Sequence, residues 1–95
     1  ADDDGSGSMG VLEVAEAFAK AKVKPKRSIL FVWHTAEEKG LFGSEWYTDH
    51  PTVPRDSIIA GINIDMIGRG GAFDAVPEGG MNYLQLLGSR RLSTA

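Results

Sequence analysis

Cysteine is absent from this 95-residue sequence, and that absence excludes both disulfide bonds and metal sites built from thiolates. Basic residues are also few, because 10 Lys and Arg stand against 13 Asp and Glu, which gives a net charge of −3 and an isoelectric point near 5.2. An acidic chain has no electrostatic attraction for nucleic acid or for an anionic membrane. We therefore expect neither as a partner.

Long apolar runs are missing as well. A bilayer span needs roughly 20 consecutive apolar residues, and the apolar runs here are far shorter. The first residues also lack the basic and then apolar order of a secretion signal. Because the sequence opens at Ala1 within an acidic, glycine-rich segment that is typical of a functional loop, we expect the chain to be part of a longer protein.

What the sequence does contain is an alternation of helical and strand-like patterns. Apolar residues recur at helical spacing over residues 9–22, whereas residues 28–34 and 57–65 are nearly continuous apolar runs, typical of strands buried on both faces. A short helix is predicted over residues 44–49, where Pro51 enforces the stop. A strand, a helix and a strand in this order predict a parallel, right-handed α/β unit.

Serine and histidine side chains are candidates for the ends of these helices. Ser6 or Ser8 is placed to cap the first helix, and Ser44 the second. His50 follows the second helix, where an imidazole favours the helix dipole and can bind the last carbonyl groups. After a glycine-rich loop, a third strand and then a helix are predicted over residues 83–88 and from residue 89 onward.

Acidic side chains stand where both predicted strands end. Glu37 and Glu38 follow the first strand, and Asp65 ends the second. Since the carboxyl ends of parallel strands meet at one sheet edge, we expect these acids to lie together, joined by one or more of the aspartates at positions 2–4. Like charges at a buried strand end persist mainly when a cation neutralises them, so the pattern predicts a divalent-cation site.

The type of cation depends on the ligands available. Carboxylate oxygens alone favour magnesium, manganese or calcium, whereas zinc also prefers imidazole, and two ions close together need a bridging carboxylate. His34 lies just before the acids, where it either supports the site from behind the ligands or packs against its neighbours. The spacing of Glu37 and Glu38 leaves open which is a ligand and which is a base.

Three short acidic motifs occur in order along the first two thirds of the chain. They are ADDDGSG, TAEEKGLFGS and NIDMIG, at residues 1–7, 35–44 and 63–68. Together they resemble the motifs of the co-catalytic di-zinc aminopeptidases, the family that includes bacterial leucyl aminopeptidase and the catalytic domain of glutamate carboxypeptidase II. The resemblance implies an α/β fold, a three-layer α/β/α phosphorylase/hydrolase-like sandwich with mainly parallel central strands, of which residues 1–95 would be a partial catalytic domain. It also implies a zinc-dependent exopeptidase that acts on peptide substrates and is secreted or periplasmic.

The resemblance further implies roles for individual residues. Asp2 would bridge two zinc ions, with a cis peptide bond to Asp3, while Glu38 and Asp65 would each complete the shell of one zinc. Glu37 would be the general base. The family's histidine ligands lie in motifs outside these residues, so we expect the chain alone to bind zinc weakly, to hydrolyse little and to self-associate through uncovered sheet edges and helix faces.

Three other functions remain open at this point. A glutaminyl-cyclase-like acyltransferase uses a similar set of acids around one zinc on the same fold. A non-catalytic receptor or adaptor domain descended from such peptidases is a second alternative, although an inert domain has no physical reason to keep unpaired buried acids. A calcium or magnesium binding module is the third, since charge alone does not separate it from a peptidase.

Overall fold

The computed structural model describes residues 1–69. Its helices are α1 (Gly5–Lys20) and α2 (Phe42–Asp49), with short 3-10 helices at Glu37–Lys39 and Arg55–Ser57. The described residues fall into two compact units, a terminal unit made of residues 1–10 and 65–69 and a central unit, Val11–Ile64. No helix within residues 1–69 is long and apolar enough to cross a membrane.

Helix α1 confirms the helix predicted over residues 9–22, although it begins and ends earlier in the sequence. The Ser6 N–H donates to the Asp2 carbonyl at 3.2 Å, which closes the first turn. The Ser8 N–H donates to the Asp4 carbonyl at 2.9 Å in the same way. Both serines therefore lie inside the helix, and the prediction that one of them is its N-cap is wrong.

The other end of α1 is held by a lysine that lies beyond it. Lys24 Nζ donates to the carbonyl oxygens of Phe18, at 3.2 Å, and Ala19, at 2.6 Å. A cation at this end complements the partial negative charge of a helix C-terminus. The Phe18 ring also contacts Phe31, with 6.5 Å between ring centroids, so the helix packs against the apolar run that follows it.

Helix α2 confirms the short helix predicted over residues 44–49 and begins earlier in the sequence. The prediction that Ser44 is its N-cap is wrong, because Leu41 takes that position and the Ser44 hydroxyl donates to the Leu41 carbonyl at 3.0 Å. The prediction for His50 is confirmed, since its ring Nδ1 lies 3.0 Å from the Trp46 carbonyl oxygen. The rings of His50 and Trp46 also stack, with 4.6 Å between centroids.

The predicted strands are not tested by the described residues. Residues 28–34 and 58–65 belong to neither a helix nor a strand, and no strand is present within residues 1–69. Extended segments form a sheet only where neighbouring strands complete their backbone hydrogen bonds. The three-layer α/β/α sandwich and the partial catalytic domain over residues 1–95 therefore stay predictions. The third strand and the last helix, predicted over residues 83–88 and from residue 89, lie outside the described residues.

The apolar runs are open to solvent. No apolar side chain within residues 1–69 is buried, and the exposed fractions reach 49% at Leu30 and Trp33 and 89% at Ile62. Exposed apolar surface of this kind favours association with other chains or segments. Self-association of the chain stays a prediction that this exposure supports.

Candidate metal centre

The first candidate residues lie in a tight loop of the central unit, residues 35–43, named here the glutamate loop. Three of its residues have a left-handed backbone: Ala36 at φ 57°, Gly40 at φ 108° and Leu41 at φ 63°. Only glycine adopts positive φ at little cost, so the conformation of Ala36 and Leu41 must be imposed by the surrounding hydrogen bonds. Backbone conformations of this kind cluster at functional sites.

Backbone hydrogen bonds within the glutamate loop hold the two candidate acids. The Glu37 carbonyl accepts from the N–H groups of Gly40 and Leu41, both at 2.9 Å. These bonds form the 3-10 turn that carries Glu37 and Glu38 as neighbours. Both side chains are exposed to solvent. The loop therefore presents two carboxylates from a backbone that is closed on itself.

The base of the glutamate loop is a close approach of two backbone segments, at Gly43 and Thr35. Gly43 N–H donates to the Thr35 carbonyl at 3.0 Å. A Cβ atom at position 43 would lie 2.1 Å from that carbonyl oxygen and 2.7 Å from the Thr35 nitrogen. No side chain fits in this space, so the loop requires glycine at this position.

His34 lies immediately before the glutamate loop. Its ring packs against Tyr47 of α2, with 5.6 Å between ring centroids. This contact supports the packing alternative for His34 rather than a role behind the metal ligands.

The second group of candidate residues lies in the terminal unit and centres on Asp2. Its Oδ1 accepts hydrogen bonds from the Ser6 hydroxyl at 2.6 Å and from the Gly68 N–H at 3.0 Å. Its Oδ2 is buried without a hydrogen bond from any described residue, and the Arg69 Nε lies 3.5 Å from it. The Ser6 hydrogen bond lowers the pKa of Asp2, and the Gly68 N–H and the Arg69 charge act in the same direction against the effect of burial.

Asp4 makes a parallel contact with the segment that follows Asp65. Its Oδ1 accepts a hydrogen bond from the Met66 N–H at 3.1 Å. Met66 has a left-handed backbone, with φ 45°, as Ala36 has beside Glu37. Each acidic motif that follows a predicted strand thus has a non-glycine residue at positive φ next to its candidate acid.

Asp3 lies between these two acceptors and differs from both. Its side chain is exposed, and its carboxylate receives no hydrogen bond from the residues that the structure describes. The cis peptide bond predicted between Asp2 and Asp3 lies instead between Asp3 and Asp4. Among the three neighbouring aspartates, Asp3 therefore has both oxygens open to a ligand.

Asp65 lies in the same unit as the aspartates of the first motif, and the segment after it is hydrogen-bonded to Asp4 and Asp2. Burial is the largest influence that raises the pKa of Asp65, and the nearby charges of Asp4, Asp3 and Asp2 and a hydrogen bond with Asp4 raise it further. The expectation that these acids form one site is supported by this proximity and stays a prediction. Glu37 and Glu38 belong to the other unit, so their meeting with Asp65 stays a prediction.

The chemistry of these donors fits a divalent cation. Burial and the nearby charges of the aspartates at positions 2–4 disfavour the charged form of Asp65. A cation relieves such repulsion, and all the donors are hard oxygen atoms of the type that such ions bind. Within residues 1–69 no three His, Asp or Glu side chains form a ready-made metal cage.

Three contacts of the Asp2 side chain were not predicted from the sequence. Ser6 was predicted as a helix cap, yet its hydroxyl binds the Asp2 side chain, which lies four residues before it. Gly68 and Arg69 were predicted as part of a loop, with no partner assigned. The Ser6 contact has a local signal in the spacing of the two residues, whereas the other two contacts join segments that are remote in sequence.

The chain is similar to a known protein family and to several known proteins. The family model described as Peptidase family M28 matches residues 1–89. Leupeptin-inactivating enzyme 1 of Streptomyces exfoliatus is 43% identical over 67 residues, and Leucine aminopeptidase 2 of Trichophyton equinum is 40% identical over 67 residues. Each of these two matches covers 70% of this chain.

A third relative is matched over a longer stretch. The protein named "Probable glutamate carboxypeptidase" of Arthroderma benhamiae is 42% identical over 84 residues, or 82% of this chain. The chain covers only 15%, 13% and 12% of the lengths of these three relatives, in the order given. No solved structure matches the chain at a significant level.

Proposed function

Because this chain belongs to peptidase family M28, we propose that it contributes the acidic core of a metal-dependent exopeptidase, an enzyme that removes residues from the ends of peptides. The resemblance drawn from the three acidic motifs is thereby confirmed. The names leucine aminopeptidase and glutamate carboxypeptidase, borne by two relatives, support cleavage at a peptide end. Since the chain covers a small part of each relative, the active enzyme in this proposal is a longer parent protein.

The observation that carries the proposal is a pair of hydrogen bonds, in which Asp4 and Asp2 accept from the Met66 and Gly68 N–H groups and so hold the segment after Asp65 against the first acidic motif. Burial and the charges of the aspartates at positions 2–4 disfavour the charge on Asp65, and a protein tolerates such an arrangement where a cation or a shared proton compensates for it. Carboxylate clusters that hold metal ions are one of the main settings in which like charges are kept together. The glutamate loop carries two further carboxylates, Glu37 and Glu38, which the motif pattern predicts for the same site.

The proposed metal ligands are Asp3, Glu38 and Asp65. A carboxylate that bridges two ions must offer one oxygen to each, and Asp2 already uses Oδ1 to accept two hydrogen bonds. Asp3 has both oxygens open and lies near Asp65. We therefore assign to Asp3 the bridging role that the resemblance implies for Asp2.

Glu37 is proposed as the general base. Bound divalent cations would lower the pKa of a water molecule to about 7 and polarise the carbonyl of the substrate. Glu37 accepts the proton of the attacking water and passes it to the nitrogen of the departing amine. Such a positioned base contributes about 10²–10⁴-fold to the rate. Its exposed position on the 3-10 turn leaves the carboxylate accessible to water and to substrate.

The identity of the metal and the full fold are part of the same proposal. We assign two zinc ions, with the imidazole ligands supplied by segments of the parent outside these residues. The predicted strands over residues 28–34 and 57–65 would join a mainly parallel central sheet once neighbouring strands are present. The substrate is a peptide with a free end.

Replacing the base separates this proposal from a binding function. In the parent protein, E37Q should lower kcat on aminoacyl p-nitroanilides by about 10²–10⁴-fold while the metal content is kept, because the amide cannot accept a proton. E45Q is the matched control, since Glu45 is an exposed glutamate of α2 outside the proposed site. A chelator should abolish the activity, and added zinc should restore it.

Two results would contradict the proposed function. Activity that survives both the chelator and E37Q would exclude a metal-dependent mechanism with Glu37 as base. Cyclisation of an N-terminal glutaminyl peptide without any peptide hydrolysis would identify an acyltransferase in place of a peptidase.

A further inference from the structure

We propose that Asp2 is a positioning residue, which fastens the segment after Asp65 to the first turn of α1 and so keeps the Asp65 carboxylate beside Asp3. This inference rests on the proposed metal site and deepens it. The contacts that do this, named here the aspartate clasp, are those of Asp2 with Ser6 and Gly68 and of Asp4 with Met66.

The hydrogen bonds of the aspartate clasp cross between two segments that are far apart in the sequence. Asp2 Oδ1 accepts from the Gly68 N–H at 3.0 Å, and Asp4 Oδ1 accepts from the Met66 N–H at 3.1 Å. These two N–H groups lie on either side of Ile67 in the segment that Asp65 opens. Hydrogen bonds to charged acceptors are stronger than those between neutral groups. The orientation of this segment is therefore set by side chains of the first motif.

Close packing supports the same assignment independently of the hydrogen bonds. A Cβ atom at Gly68 would lie 2.7 Å from Asp2 Oδ1 and 2.8 Å from the Ser6 Cβ. A Cβ atom at Gly10 would lie 2.7 Å from the Ile67 Cδ1. Gly68 thus allows the segment after Asp65 to approach the first turn of α1 closely, whereas the flexible end of the Ile67 side chain could move away from a Cβ atom at Gly10.

The aspartate clasp explains why three aspartates stand in a row. Asp2 and Asp4 on either side act as acceptors for backbone N–H groups, whereas Asp3 keeps both oxygens open. Residues that orient metal ligands through hydrogen bonds typically change metal affinity by 10–100-fold when removed. Asp2 should show this behaviour and not that of a ligand.

The first test measures the aspartate clasp without any metal. Amide hydrogen exchange of Gly68 is followed in the metal-free parent protein. D2A should speed this exchange about tenfold or more, because the N–H loses its acceptor oxygen. D2N should leave it near the wild-type rate, since the asparagine Oδ1 can still accept both hydrogen bonds. Unchanged Gly68 exchange in D2A would overturn the proposal.

The second test measures zinc affinity by competition with a chromophoric chelator. D2A should weaken binding about 10–100-fold, whereas D2N should stay within about threefold of the wild type. D3N should weaken binding much more than D2N, because it alters a proposed ligand. A loss in D2N as large as that in D3N would show that Asp2 is itself a ligand and would overturn the proposal.

Two glycine substitutions, G68A and its control G5A, provide the test if D2A does not fold. G68A opens the aspartate clasp without removing an acid and should weaken zinc binding as D2A does. G5A is the matched control, because a Cβ atom at Gly5 meets nothing within 4 Å, and it should bind zinc as the wild type does. Equal zinc binding by G68A and G5A would contradict the proposal.

If D3N and D65N both leave zinc binding unchanged, the proposed function fails. The exchange of the Gly68 amide then still decides whether the aspartate clasp exists.

Discussion

The glutamate loop and the segment after Asp65 have similar features, but their conformations are held by different kinds of hydrogen bond. Both follow a predicted strand, both carry candidate metal-site acids, and both place a non-glycine residue at positive φ, Ala36 in one and Met66 in the other. The glutamate loop is held by backbone hydrogen bonds between its own residues, 35–43, such as that from the Gly43 N–H to the Thr35 carbonyl. The segment after Asp65 is held by aspartate side chains that lie 62 and 66 residues away in the sequence.

This difference separates a locally encoded loop from one that needs the tertiary structure. A loop that is closed by its own backbone can keep its shape without contacts from the rest of the chain, because its hydrogen-bond donors and acceptors are close in the sequence. A segment held by remote side chains takes its shape only after the chain has brought the two ends together. We therefore expect a substitution within the glutamate loop to disturb that loop itself. A substitution at Asp2 or Asp4, in contrast, should disturb the segment after Asp65, which is remote in the sequence.

The strongest test of local closure is Gly43→Ala. Its Cβ atom would lie 2.1 Å from the Thr35 carbonyl oxygen, which is backbone and cannot turn aside. We expect a loss of about 3 kcal/mol in the free energy of unfolding of the parent protein, measured by urea denaturation, from this backbone strain. Gly61→Ala is the control in the same unit, because a Cβ atom there meets nothing within 4 Å. A loss in Gly43→Ala no greater than in Gly61→Ala would show that the loop is not closed as described.

A smaller effect is expected from Gly40→Ala, where conformation rather than space is limiting. The added Cβ atom would meet only the Phe42 ring, at 3.7 Å, which is an ordinary contact. The backbone at φ 108° is nevertheless unfavourable for a side chain, and we expect a loss of about 1–2 kcal/mol in unfolding free energy. Gly40→Ala as stable as the wild type in urea would contradict the left-handed conformation at this position.

The smallest effect is expected where an alanine already occupies positive φ. Ala36→Gly relieves the left-handed conformation but makes the unfolded chain more flexible, so the net change should be a gain of about 0.5 kcal/mol in unfolding free energy. The same replacement at Ala17, an exposed position inside α1, should cost about 1 kcal/mol, because glycine disfavours a helix. Thermal unfolding of the two variants gives the comparison, and equal losses in both would argue against strain at Ala36.

Much of the candidate site could be predicted because its signals are local. The two α-helices follow from apolar spacing and from Pro51, and the His50 cap follows from its place after α2. The helix starts were wrong because Leu41 and the carbonyls of Asp2 and Asp4 accept the first bonds, so that serines placed to act as caps lie one turn inside. Capping depends on the backbone path before the helix, which residue type alone does not specify.

The family and the chemical type of the site followed from the sequence by itself. Three motifs in order, with carboxylates next to glycines, were enough to predict the family, and the match to peptidase family M28 confirms that prediction. The same motifs predicted hard oxygen donors at the candidate site. The different contacts of Asp2, Asp3 and Asp4 came only from the tertiary structure, because identical side chains in a row have no local feature that separates them. They differ in their contacts with Met66 and Gly68, and such contacts exist only once remote parts of the chain have folded together.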